Sequence, residues 1–303
     1  MSANRSQISP AEVASVVANW SAKPDISARS VLVTIFGDTV LPVTRSFWLS
    51  QLFQLTDRFG FTARLVRTSM YRLAAEDWLT NERVGRQSCY HLTDLAVRES
   101  IQAATRIYHA TPSDWSGLWS LVFLDSSGLP DEEGETITEH LTWHGFVHLG
   151  RGLLGSPTIS TSEVREMCEL LGPSAHVPVA SANFDDLEGL VQSGFFSSGL
   201  NTPEIEAVYS DFVARYEPLT GSTPPDDALD AFALRTMLVH DIRRIRLRFP
   251  DLPAQLLPAD WIGDRADEIA STLYRSLSEA AAPALSDVLD VDYPGVIAGR
   301  FDG

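Results

Sequence analysis

Between Phe59 and Thr93 the chain reads FGFTARLVRTSMYRLAAEDWLTNERVGRQSCYHLT, and few folds accommodate that order. A glycine-punctuated turn leads into a short arginine-bearing helix, and a tight hairpin with more arginine at its tip follows. This is the plan of a winged helix-turn-helix, in which one helix enters the major groove and a β-wing lies along the backbone. Thr62 caps the predicted helix Ala63–Ala75, whose buried stripe is Val66, Met70 and Leu73. Arg64, Arg67, Thr68 and Tyr71 share the opposite face, where arginine forks suit guanine and the others suit phosphate or a thymine methyl. The hairpin pairs Trp78–Arg83 with Gln87–Leu92 around Val84-Gly85-Arg86, with Gly85 taking the positive φ. The candidate DNA contacts are Arg64, Arg67, Thr68, Tyr71 and Arg72 on the helix, Arg83 and Arg86 on the wing, and Arg45. The structural alternative is a solvated helix face beside a hairpin kept soluble by charge.

A net charge of −17 argues against a polyanion partner until it is divided along the chain. Residues 26–98 hold nine arginines against six acids, a balance of +3, while residues 99–303 carry −20. A mildly basic module attached to an acidic body is oriented by a polyanion rather than repelled from it. Lys23 is the sole lysine. At 303 residues the chain predicts two or three domains, and its ordinary 44% hydrophobic content supports packed cores. With no apolar run of membrane length and no signal-peptide pattern, the expectation is a soluble cytoplasmic protein with no membrane partner. Cys89 and Cys168 have no metal-type spacing and read as buried or half-buried thiols rather than a disulfide.

The predicted class is α+β, in seven segments. Residues 1–25 form an arm or extra helix opened by the capping box Ser9-Pro10-Ala11-Glu12. The winged domain spans 26–98, with helices Ala28–Phe36, stopped by Gly37, and Arg45–Arg58, capped by Thr44. Leu41-Pro42-Val43 reads as extended. Residues 99–113 are a linker helix. Residues 114–182 give the order βαββαβ, a ferredoxin-like middle domain. Its helices are expected near Thr136–Gly145 and Ser162–Leu171, after a polar loop at Asp125–Gly134. Residues 183–202 connect to an all-helical domain, 203–282, with helices near 204–215, 226–249 and 264–281, and residues 283–303 are an acidic, irregular tail.

ARSVLVTIFGD, RLVRTSMYRLAAEDWL, GRQSCYHLT, WSGLWSLVFLD and LRTMLVHDIRRIRLRFPDLPAQLLPADW resemble the PaaX family of repressors, typified by the regulator of phenylacetate catabolism. The resemblance runs from about residue 28 to 277. It implies a homodimer with an N-terminal winged helix, a Cas2-like ferredoxin domain and a C-terminal helical domain, bound to double-stranded operator DNA. It also implies release by an aryl-acyl-CoA such as phenylacetyl-CoA, with no cofactor. The segment TEHLTWHGFVHLGRG and the CYHLT motif depart from the family's usual pattern, and leave the effector's identity open.

Arg235, Arg243, Arg244, Arg246 and Arg248 share a stretch with His240. Arg235, His240, Arg243 and Arg244 then read as grips for the effector's phosphates, with Trp261 covering an aromatic group. The alternative is salt bridges to nearby acids such as Asp241 and Asp251, and a tryptophan that packs its loop. His140, His144 and His148 recur every four residues, but Gly145 interrupts the helix and no metal is assigned. Two other classes stay open: an enzyme, as a nuclease using Asp125 or a thioesterase using His240, and a ligand-independent DNA-binding protein. No P-loop, GxGxxG or Ser-His-Asp order supports catalysis.

Overall fold

The computed structural model describes residues 6–108, 115–124, 130–171, 177–186, 189–190, 202–249, 252–257 and 260–301. Asp125 and Asp251 lie outside them. Contacts divide the chain into two units, each assembled from separated segments: residues 1–109, 212–243 and 265–303, and residues 110–211 and 244–264. The whole is α+β, with a helical C-terminal region.

The first unit begins with α1 (Pro10–Ser21), whose capping box is formed by Ser9 and Glu12. Val13, Val17 and Trp20 are each 1% exposed, so α1 is core rather than a frayed arm. Helix α2 (Ala28–Ile35) does not stop at Gly37. It runs into a π-helical turn, Phe36–Val40, closed by the Leu41 N–H donating to the Phe36 carbonyl at 2.9 Å. Residues 41–43 form a turn rather than an extended connection.

The expected helix from Arg45 is also corrected. Ser46–Trp48 is a strand, β1, and helix α3 (Leu49–Thr56) starts only after it. Thr44 accepts from the Ser46 N–H at 3.1 Å instead of capping a helix. Phe47, 2% exposed, stacks on Phe36 at 5.0 Å and on Tyr90 at 6.0 Å. Pairing and aromatic burial thus override local helix propensity. A 3-10 turn, Asp57–Phe59, and Gly60 at φ +68° end α3.

Helix α4 (Ala63–Ala75) follows, with Thr62 Oγ1 accepting from the Leu65 N–H at 3.2 Å. Then come β2 (Leu79–Val84), β3 (Gln87–Leu92) and α5 (Asp94–Tyr108). The sheet is antiparallel in the order β1-β3-β2.

The second unit has β4 (Leu118–Phe123), α6 (Asp131–Trp143), β5 (Val147–Gly150), β6 (Leu153–Ser156), α7 (Thr161–Leu171) and β7 (Val179–Asn183). Its antiparallel sheet runs β5-β6-β4-β7. Helix α6 starts five residues before the expected one, because Asp131, Glu132 and Glu133 fill its first turn and complement the helix dipole. Alternation along the strands builds two cores. Val122 and Leu154 face Ile137, Leu141, Val164 and Cys168 of the helices, while Trp119, Leu121, Val147 and Leu149 meet Leu252 and Leu256 on the other side.

The C-terminal helices are α8 (Thr202–Thr220), α9 (Ala228–Arg248) and α10 (Ile262–Leu289). The expected tail from residue 283 is corrected in part. Helix α10 continues through Pro283, because Leu285 and Leu289 are buried, and Tyr293, Arg300 and Phe301 fold back into the first unit's core.

Candidate nucleic-acid interface

Helix α4 is divided sharply by burial. Val66, Met70 and Leu73 have no exposed surface, which at roughly 1.5–3 kcal/mol per buried side chain fixes the helix's rotation. Arg64, Arg67, Thr68, Tyr71 and Arg72 are consequently all exposed, Tyr71 at 76%. The Arg67 guanidinium lies over the Phe53 ring at 5.0 Å, which limits its wandering, and the side chain remains exposed. The Thr68 hydroxyl donates to the Arg64 carbonyl at 2.9 Å and keeps only its acceptor capacity for a partner.

The hairpin turns at Gly85 and Arg86, with Val84 paired to Gln87 and Gly85 at φ +63° in the first central position. Arg83 and Arg86 are exposed at this tip. Elsewhere arginines pair with acids: Arg29 with Glu76, Arg58 with Asp227 and Asp230, Arg265 with Glu217 and Glu268. Arg64, Arg67, Arg72, Arg83 and Arg86 make no ion pair with a carboxylate among the described residues. Arg45 precedes β1 and meets Asp94 at 3.3 Å, with both side chains more than half exposed. Such a pair is worth little and can be displaced.

The arginines of α9 stand differently. Arg235 is fully buried and donates to Asp38 Oδ2 at 2.9 Å, Thr39 Oγ1 at 2.8 Å and Tyr293 at 3.2 Å. Asp38 also accepts from Tyr108 at 2.8 Å and from Arg300 at 2.7 Å. Burial would raise the Asp38 carboxyl, but Arg235 and Arg300 beside it hold it below its ordinary value. Burial, reinforced by the Asp38 charge, pushes the Tyr108 hydroxyl well up. This cluster gave no sequence signal, since Asp38 reads as a loop residue after Gly37.

His240 is likewise buried, with Nδ1 2.9 Å from Thr34 Oγ1 and its ring edge-on to Trp20 at 5.2 Å. Arg235 and His240 are thus both buried in the first unit, and Arg235 makes a salt bridge, as the alternative reading had it, with Asp38 rather than with an acid nearby in sequence. Arg243 belongs to the first unit, whereas Arg244 and Trp261 belong to the second, where Trp261 packs edge-on against Tyr209 at 5.5 Å.

In the second unit, a cavity of about 520 Å³ is lined by Leu124, Asp131, Glu135, Glu139 and His148 among others. Its three carboxylates disfavour a polyphosphate. The His140 and His144 rings are tilted at 55° to each other, 4.6 Å between centroids, and Gly145 at φ +94° ends their helix before His148 on β5. Cys89 and Cys168 are free and buried, and burial raises both thiols.

The chain matches the PaaX-like protein family over residues 27–96 and the PaaX-like protein C-terminal domain over residues 200–287. It is 30% identical over 269 residues to the transcriptional repressor PaaX of Escherichia coli (strain K12), spanning 86% of this chain and 84% of that protein. The chain belongs to the PaaX-like family. Both matched segments of this PaaX-like chain include residues already described: the first holds α4 and the hairpin, and the second holds Arg235 and His240. Among solved structures, the uncharacterized protein Rv0674 from Mycobacterium tuberculosis is similar at 20% identity and a TM-score of 0.49. That similarity covers 86% of this chain and 99% of the other. No helix among the described residues is long and apolar enough to cross a membrane.

Proposed function

We propose that this chain is a DNA-binding transcriptional repressor of a phenylacetate-type catabolic operon. In this reading the first unit carries a winged helix-turn-helix, with α4 as the recognition helix and β2–β3 as the wing. The second unit carries a ferredoxin-like sheet. The observation that carries the proposal is the set of exposed arginines on one face of α4 and at the hairpin tip, free of carboxylate partners among the described residues in a chain that pairs many others. Family membership and the repressor activity in the name of the Escherichia coli relative support it.

Arg64 and Arg67 read base edges, Thr68, Tyr71 and Arg72 complete the face, and Arg83, Arg86 and Arg45 bind phosphates. A homodimer on a two-fold-related operator follows from how such readers double their contact. An aryl-acyl-CoA such as phenylacetyl-CoA releases the protein by binding the non-operator arrangement more tightly; a differential of a few kcal/mol suffices.

The test is fluorescence anisotropy of the protein with DNA upstream of its own gene, with and without phenylacetyl-CoA. Tight binding released by the thioester but not by free phenylacetate is the expected result. Absence of binding at low salt overturns the repressor reading.

A further inference from the structure

Glu82, Cys89 and His91 take no part in the proposed DNA contacts, yet the hairpin gathers them on one face. Glu82 is paired directly with Cys89 across β2 and β3, two residue pairs below the Val84–Gln87 tip. His91 lies two residues further along β3, so its side chain leaves the strand on the same side as that of Cys89. One ligand atom from each of the three lies within 4.8 Å of the others. His91 Nε2 and Glu82 Oε1 are already 3.5 Å apart. Donor atoms around a tetrahedral zinc stand about 3.3–3.8 Å from one another, given bonds of roughly 2.0–2.3 Å. A small closure of the Cys89 sulfur toward the other two therefore completes the set.

The third strand supplies what a ligating histidine needs. Ser46 on β1 pairs with His91, and its Oγ lies 2.8 Å from His91 Nδ1. With Nδ1–H donating to Ser46, the Nε2 lone pair is left on the Glu82 side. An ordinary Glu–His ion pair explains the 3.5 Å contact but not a sulfur brought to the same point.

We propose that Glu82, Cys89 and His91 form a divalent metal site of zinc type, with solvent at the fourth position. Thiolate and imidazole donors select zinc-like ions over magnesium or calcium. Binding forms one metal–sulfur, one metal–nitrogen and one metal–oxygen bond in place of bonds from the hydrated ion to water, all but one of its waters leave, and the Cys89 thiol proton leaves to solvent. The ion joins β2 to β3 directly and reaches β1 through Ser46, so it staples the small sheet. The site stands independently of whether the hairpin touches DNA.

The full-length chain, stripped with a chelator, is titrated with cobalt(II) and followed by absorption. One equivalent with a thiolate-to-cobalt charge-transfer band, displaced by zinc, is expected. Cys89→Ser abolishes the band and Cys168→Ser keeps it. Ser46→Ala weakens cobalt affinity by about 10–100-fold. Glu82 is largely exposed, so Glu82→Gln leaves the circular dichroism spectrum unchanged while cobalt affinity falls. The site is refuted by the absence of a thiolate band in the parent chain, by its persistence in Cys89→Ser, or by unaltered cobalt affinity in Glu82→Gln.

Discussion

Asp38 Oδ2 accepts a hydrogen bond from Arg235 Nη2 at 2.9 Å, joining residues 197 apart in sequence. Their side chains are 2% and 0% exposed, so the pair has little water to fall back on. Arg300 and Tyr108 complete the carboxylate's shell, and Tyr274 lies 3.3 Å from its Oδ1. The π-helical turn after α2 places Asp38 there, and α5, α9, α10 and the C-terminal segment converge on it. A buried ion pair is no guarantee of net stability over an apolar core, but losing one partner is costly.

Asp38→Asn strands the Arg235 charge in the core. The expected loss is about 3–5 kcal/mol, read as a lower urea midpoint with an unchanged slope. A loss below about 1 kcal/mol would show that the cluster is not a structural keystone.

The same cluster makes stability depend on pH at both extremes. The folded Asp38 carboxyl lies below its ordinary value of 3.8, so its stabilisation is present above about pH 4 and lost as pH falls through the lowered value. Tyr108 lies above its ordinary 10.0, so its contribution is present below about pH 10 and lost as pH rises further. Urea midpoints against pH should fall at both ends, and Asp38→Asn should flatten the acid limb.

Arg67→Ala and Arg86→Ala separate reading from grip. Arg67→Ala should cost about 1–3 kcal/mol on the operator and relax discrimination at one position. Arg86→Ala should weaken all sequences alike and reduce the salt slope by about 1. Anisotropy titrations at several salt concentrations on matched and scrambled duplexes check both. Full retained affinity in Arg67→Ala removes α4 from the interface.

Trp20 donates through Nε1 to Asp241 at 2.8 Å and is 1% exposed. Arg215 and Tyr216 share that carboxylate. Trp20→Ala should therefore destabilise by about 3–5 kcal/mol, and thermal unfolding will show it as a large downward shift. An unshifted midpoint would make α1 the frayed arm that the sequence left open.

Gly85 needs φ +63°, a region that costs other residues about 1–2 kcal/mol. Gly85→Ala should raise hydrogen exchange in β2 and β3 while leaving α9 and α10 protected. Unchanged exchange in the hairpin would show that the turn tolerates a side chain.

Local patterns carried much of the architecture. Thr62, the Val66–Met70–Leu73 stripe and the Gly85 turn are complete signals within a few residues, and α4 and the hairpin appear where those signals stand. The order βαββαβ was also legible, because alternation and helical periodicity change visibly between Leu118 and Asn183. Ser46–Trp48 was not legible: its helical spacing is real, but pairing with Tyr90 and stacking on Phe36 exist only in the folded chain. Arg235 left two readings open, an effector grip or a structural ion pair, for the opposite reason. An arginine in an apolar stretch looks like a site for an anion, and here the anion is Asp38.

The sequence by itself determined the helices and strands whose caps, turns and stripes are local, and the exposed arginine face that follows from burying one side of α4. The tertiary structure decided where each charge is spent. Electrostatic pairing and burial depend on distance in space, and residues 38, 235 and 300 become neighbours only when the chain closes on itself.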